Sequence, residues 1–315
     1  KDNLGAVDVV IEVLPFKLPA PKTHYDITKD YTGSLYYWGI LSKSPKSSIG
    51  FRRKNLIQFT AELKSMATHN INAPAMILGP DVVYKDHPLF RKILGIMKSQ
   101  GMAGRPLYIA DSGLIGNNTD PVKLAELKTN VTNAIKVAKE FGFTGIYFYG
   151  IDEAQGEVLK SEKVAWAVAH KAGAKVWVSG WGNIFELVGD VLDQANWTGD
   201  AKFAQIDGWH KNGHTVWNYA NPQTPIEDAE MYRRNYGLYN WKLGIDGTCT
   251  YCYMDSSGTQ WNDWDGHVYR DHCVAYPTVD GVVETLALEG LREALDDVKY
   301  ATKLMQLIDK QKNGP

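Results

Sequence analysis

Short apolar runs of β type alternate with stretches of helical period along most of the chain, starting near residue 34. The runs that predict strands lie at residues 35–41, 73–79, 106–111, 145–151, 175–180, 192–197, 214–219 and 247–253. The stretches that predict helices lie near residues 54–68, 88–100, 120–141, 159–172, 183–189, 201–212, 226–243 and 286–309. Eight strand–helix units in one chain predict an α/β fold of the (β/α)8 TIM-barrel type rather than an open sheet.

The two ends of the chain also carry patterns that predict structure. Residues 7–16 alternate well enough for a strand, and Pro15, Pro19 and Pro21 interrupt any regular continuation. We therefore predict an N-terminal strand and linker over residues 1–30 and the barrel over residues 31–315. One face of the final helix carries the leucine and valine side chains of Leu288, Leu291, Leu295, Val298 and Leu304.

Charge and hydropathy exclude several classes of partner. The 315 residues contain 34 Lys and Arg against 36 Asp and Glu, a formal net charge of −2, and the two signs are mixed along the chain. No basic patch for nucleic acid or anionic membrane is present. No apolar stretch approaches the roughly 18 residues that a membrane span requires, so membrane insertion is not expected.

Cysteine and histidine positions do not predict a metal centre or a redox pair. Cys249, Cys252 and Cys273 are too few for a disulfide framework, and we interpret them as small buried residues in or near a strand. His210 and His214 frame a segment better interpreted as a turn between a helix and a strand, because further ligands at defined spacing are missing. We predict no metal and no cofactor.

The predicted fold directs attention to the loops that follow the strands, where barrel enzymes carry their chemistry. Polar residues follow the third, fourth and seventh strands at Asp111, Asp152-Glu153 and Asn221, and Trp181 follows the fifth. About thirty residues after the eighth strand lack periodicity, which is typical of functional or disordered loops. This segment carries Asp255, Trp261, Trp264, Asp265 and His267, and its aromatic content argues against disorder.

Two adjacent carboxylates after the fourth strand are the sharpest chemical signal. Asp152 and Glu153 can both face one cleft only where the chain turns, and Gly150 and Gly156 leave room for such a turn. Close carboxylates raise each other's pKa, so that one can act as an acid near neutral pH while the other stays ionised. A purely structural alternative stays open, in which Asp152 caps the following helix and Glu153 pairs with an arginine or lysine.

Aromatic residues suggest a class of ligand. The chain has 10 Trp and 17 Tyr, and many lie beside Gly, Asn and Asp rather than in apolar runs. Flat rings stack on the C–H faces of sugars while amides and carboxylates bind the hydroxyls. An oligosaccharide or glycan is therefore the expected partner.

A series of motifs resembles glycoside hydrolase family 123 and its relatives, the proteins that carry domain of unknown function 4091. The motifs are VLPFKLPAP (13–21), YGIDEA (149–154), VWNYANP (216–222), RRNYGLYNWKLGIDGTCTYCY (233–253) and EGLREALDDVKYATKL (289–304). The resemblance implies a β-sandwich preceding the barrel and exo-acting, retaining β-N-acetylhexosaminidase chemistry, typically on terminal N-acetylgalactosamine. We also expect a secreted, periplasmic or cell-surface protein, although the opening residues show no secretory signal pattern.

Roles for individual residues follow from the same resemblance. Glu153 would be the general acid and then the base that activates water, while Asp152 would orient the 2-acetamido group whose oxygen attacks the anomeric carbon. Tyr219 is the candidate donor to the acetamido carbonyl, and Trp181, Trp261 and Trp264 are candidate walls or stacking platforms. The remaining expected substrate contacts are Asp111, Asn221, Asp255, Asp265 and His267.

Departures from the family pattern keep alternatives open. Ala154-Gln155 follows the carboxylate pair where relatives often have proline, and the eighth strand reads Cys-Thr-Tyr-Cys-Tyr at residues 249–253. These differences permit a glycosidase on a non-acetamido polysaccharide, with Glu153 as acid and Asp111, Asp255 or Asp265 as base or nucleophile. A catalytically silent carbohydrate-binding barrel is the alternative from another class. The sequence does not indicate the oligomeric state.

Overall fold

Eight parallel strands form a closed barrel in the computed structural model, which describes residues 8–42, 50–85, 87–224 and 226–312. The strands are β1 (Thr32–Tyr37), β2 (Ala75–Met76), β3 (Leu107–Ile109), β4 (Ile146–Tyr149), β5 (Lys175–Gly180), β6 (Gln194–Thr198), β7 (Thr215–Tyr219) and β8 (Gly247–Thr250). Each pairs with its neighbour in the chain, and β1 closes the barrel by pairing with both β8 and β2. The predicted (β/α)8 fold is confirmed.

Helices follow the strands and cover the outside of the barrel. They are α1 (Leu56–Thr68), α2 (His87–Ser99), α3 (Pro121–Glu140), α4 (Gly156–Ser161), α5 (Lys163–Lys171), α6 (Ile184–Val188), α7 (Ile206–Lys211), α8 (Ala229–Arg234), α9 (Asn240–Leu243) and α10 (Leu286–Lys312). Local sequence sets several of their ends. The side chain of Asn55 accepts the Gln58 N–H at the start of α1, and Asp120 does the same for α3 immediately before Pro121.

Shorter elements complete the fold. Pairs of short strands join Ile40–Leu41 to Arg53–Lys54, Met254–Asp255 to His272–Cys273 and Ala275–Pro277 to Val282–Glu284. The last two pairs lie within the long segment after β8, which is therefore folded on itself rather than extended. This folding gives the segment short strands of its own.

Aromatic side chains dominate the interior of the barrel. Trp177 of β5 stacks on Tyr36 of β1 with ring centroids 5.7 Å apart, and Trp217 of β7 lies 4.6 Å from Tyr108 of β3. All four side chains are buried. Trp217 therefore belongs to the core. Large rings fill the interior to close packing, so the barrel is solid below its mouth.

Two sequence expectations fail at the ends of the chain. The strand predicted over residues 7–16 does not form in residues 8–16, where Val10 and Ile11 are exposed, and residue 7 lies outside the described residues. A strand needs a neighbour to satisfy its backbone groups, and no strand among the described residues pairs with this segment. In α10 the face from Leu288 to Val298 is buried as predicted, whereas Leu304, in the later turns of the helix, is 59 % exposed.

The cysteines are core residues, as the sequence predicted. The three cysteines are free and buried, as expected of small core residues. Within the described ranges, no helix has the length and apolar character needed to cross a membrane. The same ranges contain no cluster of three or more His, Cys, Asp or Glu side chains arranged for a metal ion.

A buried ion pair connects the short strand Arg53–Lys54 to α1. Lys54 Nζ lies 2.6 Å from a carboxylate oxygen of Glu62, and both side chains are completely buried. Tyr37 donates a 2.6 Å hydrogen bond to the other Glu62 oxygen, and Lys54 also approaches the Met254 sulfur at 3.7 Å. Burial raises the pKa of Glu62, while the lysine opposes that shift. Through its approach to Met254, Lys54 also contacts the short strand that carries Asp255.

Replacing Lys54 by methionine should lower the free energy of unfolding by about 3–5 kcal/mol, because the Glu62 carboxylate is left buried without its cation. Urea denaturation measures the change. The matched control is Lys160→Met, which removes an exposed pair with Glu157 and should cost no more than about 1 kcal/mol. Equal, small losses in both variants would contradict the role of the buried pair.

Candidate active site

A cavity of about 650 Å³ opens at the carboxyl ends of the barrel strands. Its volume lies within the range of roughly 300–1,000 Å³ that is usual for small-molecule sites. Five residues expected from the sequence line it together: Asp111, Asp152, Glu153, Tyr219 and Asp255. Because these residues come from the ends of four different strands, closure of the barrel brings them to one opening.

The chain turns sharply after β4, which brings both adjacent carboxylates into the cavity. Glu153 has a φ of 51°, in the left-handed region that non-glycine residues rarely adopt. The Asp152 N–H donates to Ser112 Oγ at 3.1 Å, which links this turn to the loop after β3. Such a conformation costs of order 1–3 kcal/mol and is typical of functional sites. The turn predicted from the glycine spacing is therefore present, with Glu153 itself as the strained residue.

A chain of buried hydrogen bonds ends on Asp152. Tyr149 Oη donates to Asp152 Oδ1 at 2.6 Å and lies 2.8 Å from Tyr36 Oη, which in turn lies 2.6 Å from Ser179 Oγ. The Asn196 side-chain amide donates to Ser179 Oγ at 3.0 Å. An ionised carboxylate only accepts, so Tyr149 donates to it, Tyr36 to Tyr149 and Ser179 to Tyr36. With Asp152 ionised, every donor in this chain points towards it.

Environment shifts the pKa of both carboxyl groups upwards. Surrounding protein atoms desolvate Asp152 and raise its pKa, while the hydrogen bond from Tyr149 opposes the shift. Desolvation, followed by repulsion from Asp152, raises the pKa of Glu153. The hydrogen bond favours the ionised form of Asp152, whereas the negative neighbour favours the protonated form of Glu153. The arrangement suits a pair in which Asp152 is the anion and Glu153 is the acid.

Contacts around the pair contradict the structural alternative left open by the sequence. The N-cap residue of α4 is Gln155, and Asp152 accepts from Tyr149 instead of capping that helix. Among the described residues Glu153 forms no ion pair with lysine or arginine. Neither side chain therefore has the structural partner that the alternative requires.

Tyr219 ends β7 on the wall of the same cavity. Its side chain is largely buried, and its ring packs edge-on against Tyr36 at 5.9 Å between centroids. Burial, followed by the negative charges of Glu153 and Asp152, raises its pKa well above the usual range. The phenol therefore stays neutral and can donate a hydrogen bond. Ala220, which follows it, also has a positive φ, of 52°.

Asp255 adds a further carboxylate to the cavity, on the wall formed by the segment after β8. Trp38 Nε1 donates to Tyr251 Oη at 2.9 Å, and Tyr251 donates to Asp255. His272, paired with Asp255 across two short strands, lies 3.3 Å from the Gln223 amide nitrogen, and burial lowers its pKa. The wall is thus polar, and its imidazole favours the neutral form.

Several residues expected to contact substrate lie outside the cavity lining because the long segment folds onto itself. Trp261 Nε1 donates to the Pro277 carbonyl at 2.8 Å, and its ring stacks on Tyr276. Asp265 accepts hydrogen bonds from the Thr259 hydroxyl and N–H, which closes a turn. Trp264 is 66 % exposed. Their roles towards a substrate stay predictions.

Three further expected residues lie at the margin. Trp181 after β5 is 41 % exposed and does not line the cavity. Asn221 hydrogen-bonds to Asn218 and Asn235, so its amide braces the turn after β7. His267 stacks on Tyr269, which does line the cavity, with centroids 4.8 Å apart. Asn221 is thus engaged by neighbouring asparagines. His267 lies behind Tyr269 and does not line the cavity itself.

Sequence reasoning missed several lining residues. They are the aromatic and polar side chains of Tyr36, Trp38, Tyr149, Tyr251, Gln223 and Tyr269. Tyr36 and Tyr149 lie within strands and resemble core residues, although each stands in the last two positions of its strand. A polar aromatic at the carboxyl end of a barrel strand was the signal that could have identified them.

Comparison with known proteins supports the fold. No protein-family model and no curated protein sequence matches the chain. An endo-β-1,4-mannanase from Thermotoga petrophila is similar in structure, with 12 % identity, a TM-score of 0.50 and coverage of 86 % of this chain and 77 % of that one. The β-glycosidase BGL167 has 8 % identity, a TM-score of 0.54 and coverage of 86 % and 96 %.

A further solved structure gives the same result. Fpglu1 from Fervidobacterium pennivoraus has 9 % identity, a TM-score of 0.55 and coverage of 86 % of this chain and 96 % of that one. Likeness at such identities shows a shared (β/α)8 fold. Because one fold hosts many activities, the function has to be argued from the cavity itself.

Replacing Tyr149 by phenylalanine should raise the pKa of Asp152 further, because the hydrogen bond that favours its ionised form is lost. The variant should also lose about 1–3 kcal/mol of stability, since Ser179 N–H and Tyr36 lose a buried partner. Carbon-13 NMR titration of the aspartates and urea denaturation measure the two effects. The control is Tyr300→Phe, which changes an exposed tyrosine on α10. An unchanged Asp152 titration in Y149F would show that the hydrogen bond from Tyr149 does not favour the ionised form of Asp152.

Proposed function

We propose that this protein is a glycoside hydrolase, and specifically an exo-acting retaining β-N-acetylhexosaminidase that uses the 2-acetamido group of its substrate. The observation that carries the proposal is the convergence of Asp152, Glu153 and Tyr219 on one cavity of about 650 Å³. Two adjacent carboxylates on one turn suit substrate assistance, because this mechanism needs no enzymic nucleophile across the cleft. The names of the solved structures of similar fold, a mannanase and a β-glycosidase, are consistent with a glycosidase.

The first step forms a cyclic intermediate. Glu153 transfers its proton to the glycosidic oxygen, and the bond from that oxygen to the anomeric carbon breaks as the acetamido oxygen attacks the carbon. Asp152 accepts the acetamido N–H and stabilises the positive charge that develops on the ring. Tyr219 donates to the acetamido carbonyl oxygen and orients it for attack.

The second step hydrolyses the cyclic intermediate and restores the protonated form of Glu153. The Glu153 carboxylate takes a proton from water, whose oxygen attacks the anomeric carbon and opens the cyclic intermediate. Two inversions retain the anomeric configuration, and Glu153 ends protonated. The upward shift of its pKa supports both roles, since a general acid works best with a pKa near the working pH.

Asp255 favours a second candidate function within the same class. It lines the same cavity from the segment after β8 and could serve as base or nucleophile with Glu153 as acid. Hydrolysis of aryl N-acetylhexosaminides but not of aryl hexosides would support substrate assistance. Turnover of aryl hexosides would support the conventional two-carboxylate mechanism, and sugar binding without turnover would support a silent carbohydrate-binding barrel.

Replacing Glu153 by glutamine should reduce kcat on substrates with poor leaving groups by about 10²–10⁴-fold, because general-acid catalysis is lost. Activated aryl substrates should lose less. Steady-state kinetics on both kinds of substrate test this difference. Glu157→Gln is the matched control, since Glu157 is an exposed acid four residues further along. Near-wild-type rates of E153Q on both kinds of substrate would remove Glu153 from the mechanism.

Replacing Asp152 by asparagine should lower the pKa of Glu153, because the neighbouring negative charge that raises it is gone. The basic limb of the kcat/KM profile reports loss of the acid form and should therefore move to lower pH. NMR titration of the Glu153 carboxyl carbon measures the same shift without turnover. A limb that stays in place or moves to higher pH would show that the two carboxyl groups are not coupled.

A further inference from the structure

A buried acid lies directly behind the turn that carries the carboxylate pair. Glu162, between α4 and α5, is completely buried. Among the described residues it forms no ion pair. A buried carboxyl group without a cation is costly unless hydrogen bonds satisfy it. Its contacts therefore show what holds it there.

Glu162 binds the backbone of the turn. Its Oε2 accepts the Ile151 N–H at 2.7 Å, one residue before Asp152. Gly150 makes this approach possible, because a Cβ at that position would lie only 2.8 Å from the same oxygen and 3.0 Å from the Trp166 ring. A carboxyl group thus occupies the space that any other residue at position 150 would need.

The turn is fixed from two directions. Glu162 holds Ile151 from the inside, and Ser112 holds the Asp152 N–H from the neighbouring loop at 3.1 Å. Glu153 follows with its positive φ, a conformation that persists only when surrounding contacts impose it. The two hydrogen bonds lie on consecutive backbone amides immediately before Glu153. They therefore set where its side chain enters the cavity.

We infer that Glu162 is a positioning residue for Asp152 and Glu153, acting through the Ile151 amide and requiring glycine at position 150. The effect on turnover rests on the proposed glycosidase function, whereas the effect on the turn does not. Burial raises the pKa of Glu162 to about 7, so the neutral acid is an accessible form near neutral pH. Glutamine resembles that form in shape and keeps an acceptor oxygen, whereas methionine keeps the length and loses the acceptor.

The test compares Glu162→Met, Glu162→Gln and Gly150→Ala in the full chain. E162M and G150A should lower kcat by about 10²-fold with KM changed less than about threefold, because misplacement of reacting groups acts on turnover. E162Q should retain most of the wild-type kcat. Hydrogen exchange in the peptide spanning residues 149–156 should be at least about tenfold faster in E162M than in wild type. Glu157→Gln is the control for an acid outside the turn.

Each outcome decides one question. Wild-type kcat and exchange in folded E162M and G150A would overturn the inference, as would a stability loss in both without a change in kcat. G150A leaves Glu162 in the chain and provides the answer if E162M does not fold. An inactive wild type with faster exchange in E162M would refute the proposed function and leave the positioning role standing.

Discussion

Closure of the parallel barrel is the constraint on which the site depends. Eight strands that run in one direction must all end at one rim, and the pairing of β1 with both β8 and β2 completes that rim. Residues more than a hundred positions apart, such as Asp111 and Tyr219, thereby come to one cavity. The aromatic interior beneath it is buried and closely packed, so the rim has a rigid base.

Hydrogen bonds connect the rigid interior of the barrel to the carboxylate Asp152. The chain from Asn196 through Ser179, Tyr36 and Tyr149 crosses the barrel interior from β6 to the turn after β4. Its donors are oriented before any ligand enters, which is the form of electrostatic preorganisation that costs no rearrangement during reaction. Two carboxyl groups in adjacent positions can then differ in protonation because only Asp152 receives this chain.

The fold and the place of the carboxylate pair at the end of β4 could be predicted from the sequence because both depend on local pattern. Each barrel strand overlaps one of the eight runs predicted as strands, and Asp152 and Glu153 could be identified from their place directly after β4. The lining could be predicted only in part, because it depends on contacts distant in sequence. Trp261, predicted as a binding platform, donates its indole N–H to the Pro277 carbonyl outside the cavity lining, and Tyr36 resembles a core residue although it also reaches the cavity.

The environments of Asp152 and Asp255 in the cavity differ in a way that bears on the mechanism. Asp152 ends a chain of four donors that begins in the barrel interior, whereas Asp255 is bonded to Tyr251 on a wall built from short strands. A carboxylate that must orient an amide gains from a fixed position, and Asp152 has the more extensive support. A nucleophile from this cavity would have to be Asp111 or Asp255. Asp111 Oδ1 accepts the Gly113 N–H at 2.8 Å, and Tyr251 engages one Asp255 oxygen, so each already has a partner. This asymmetry is the physical reason for preferring assistance by the substrate.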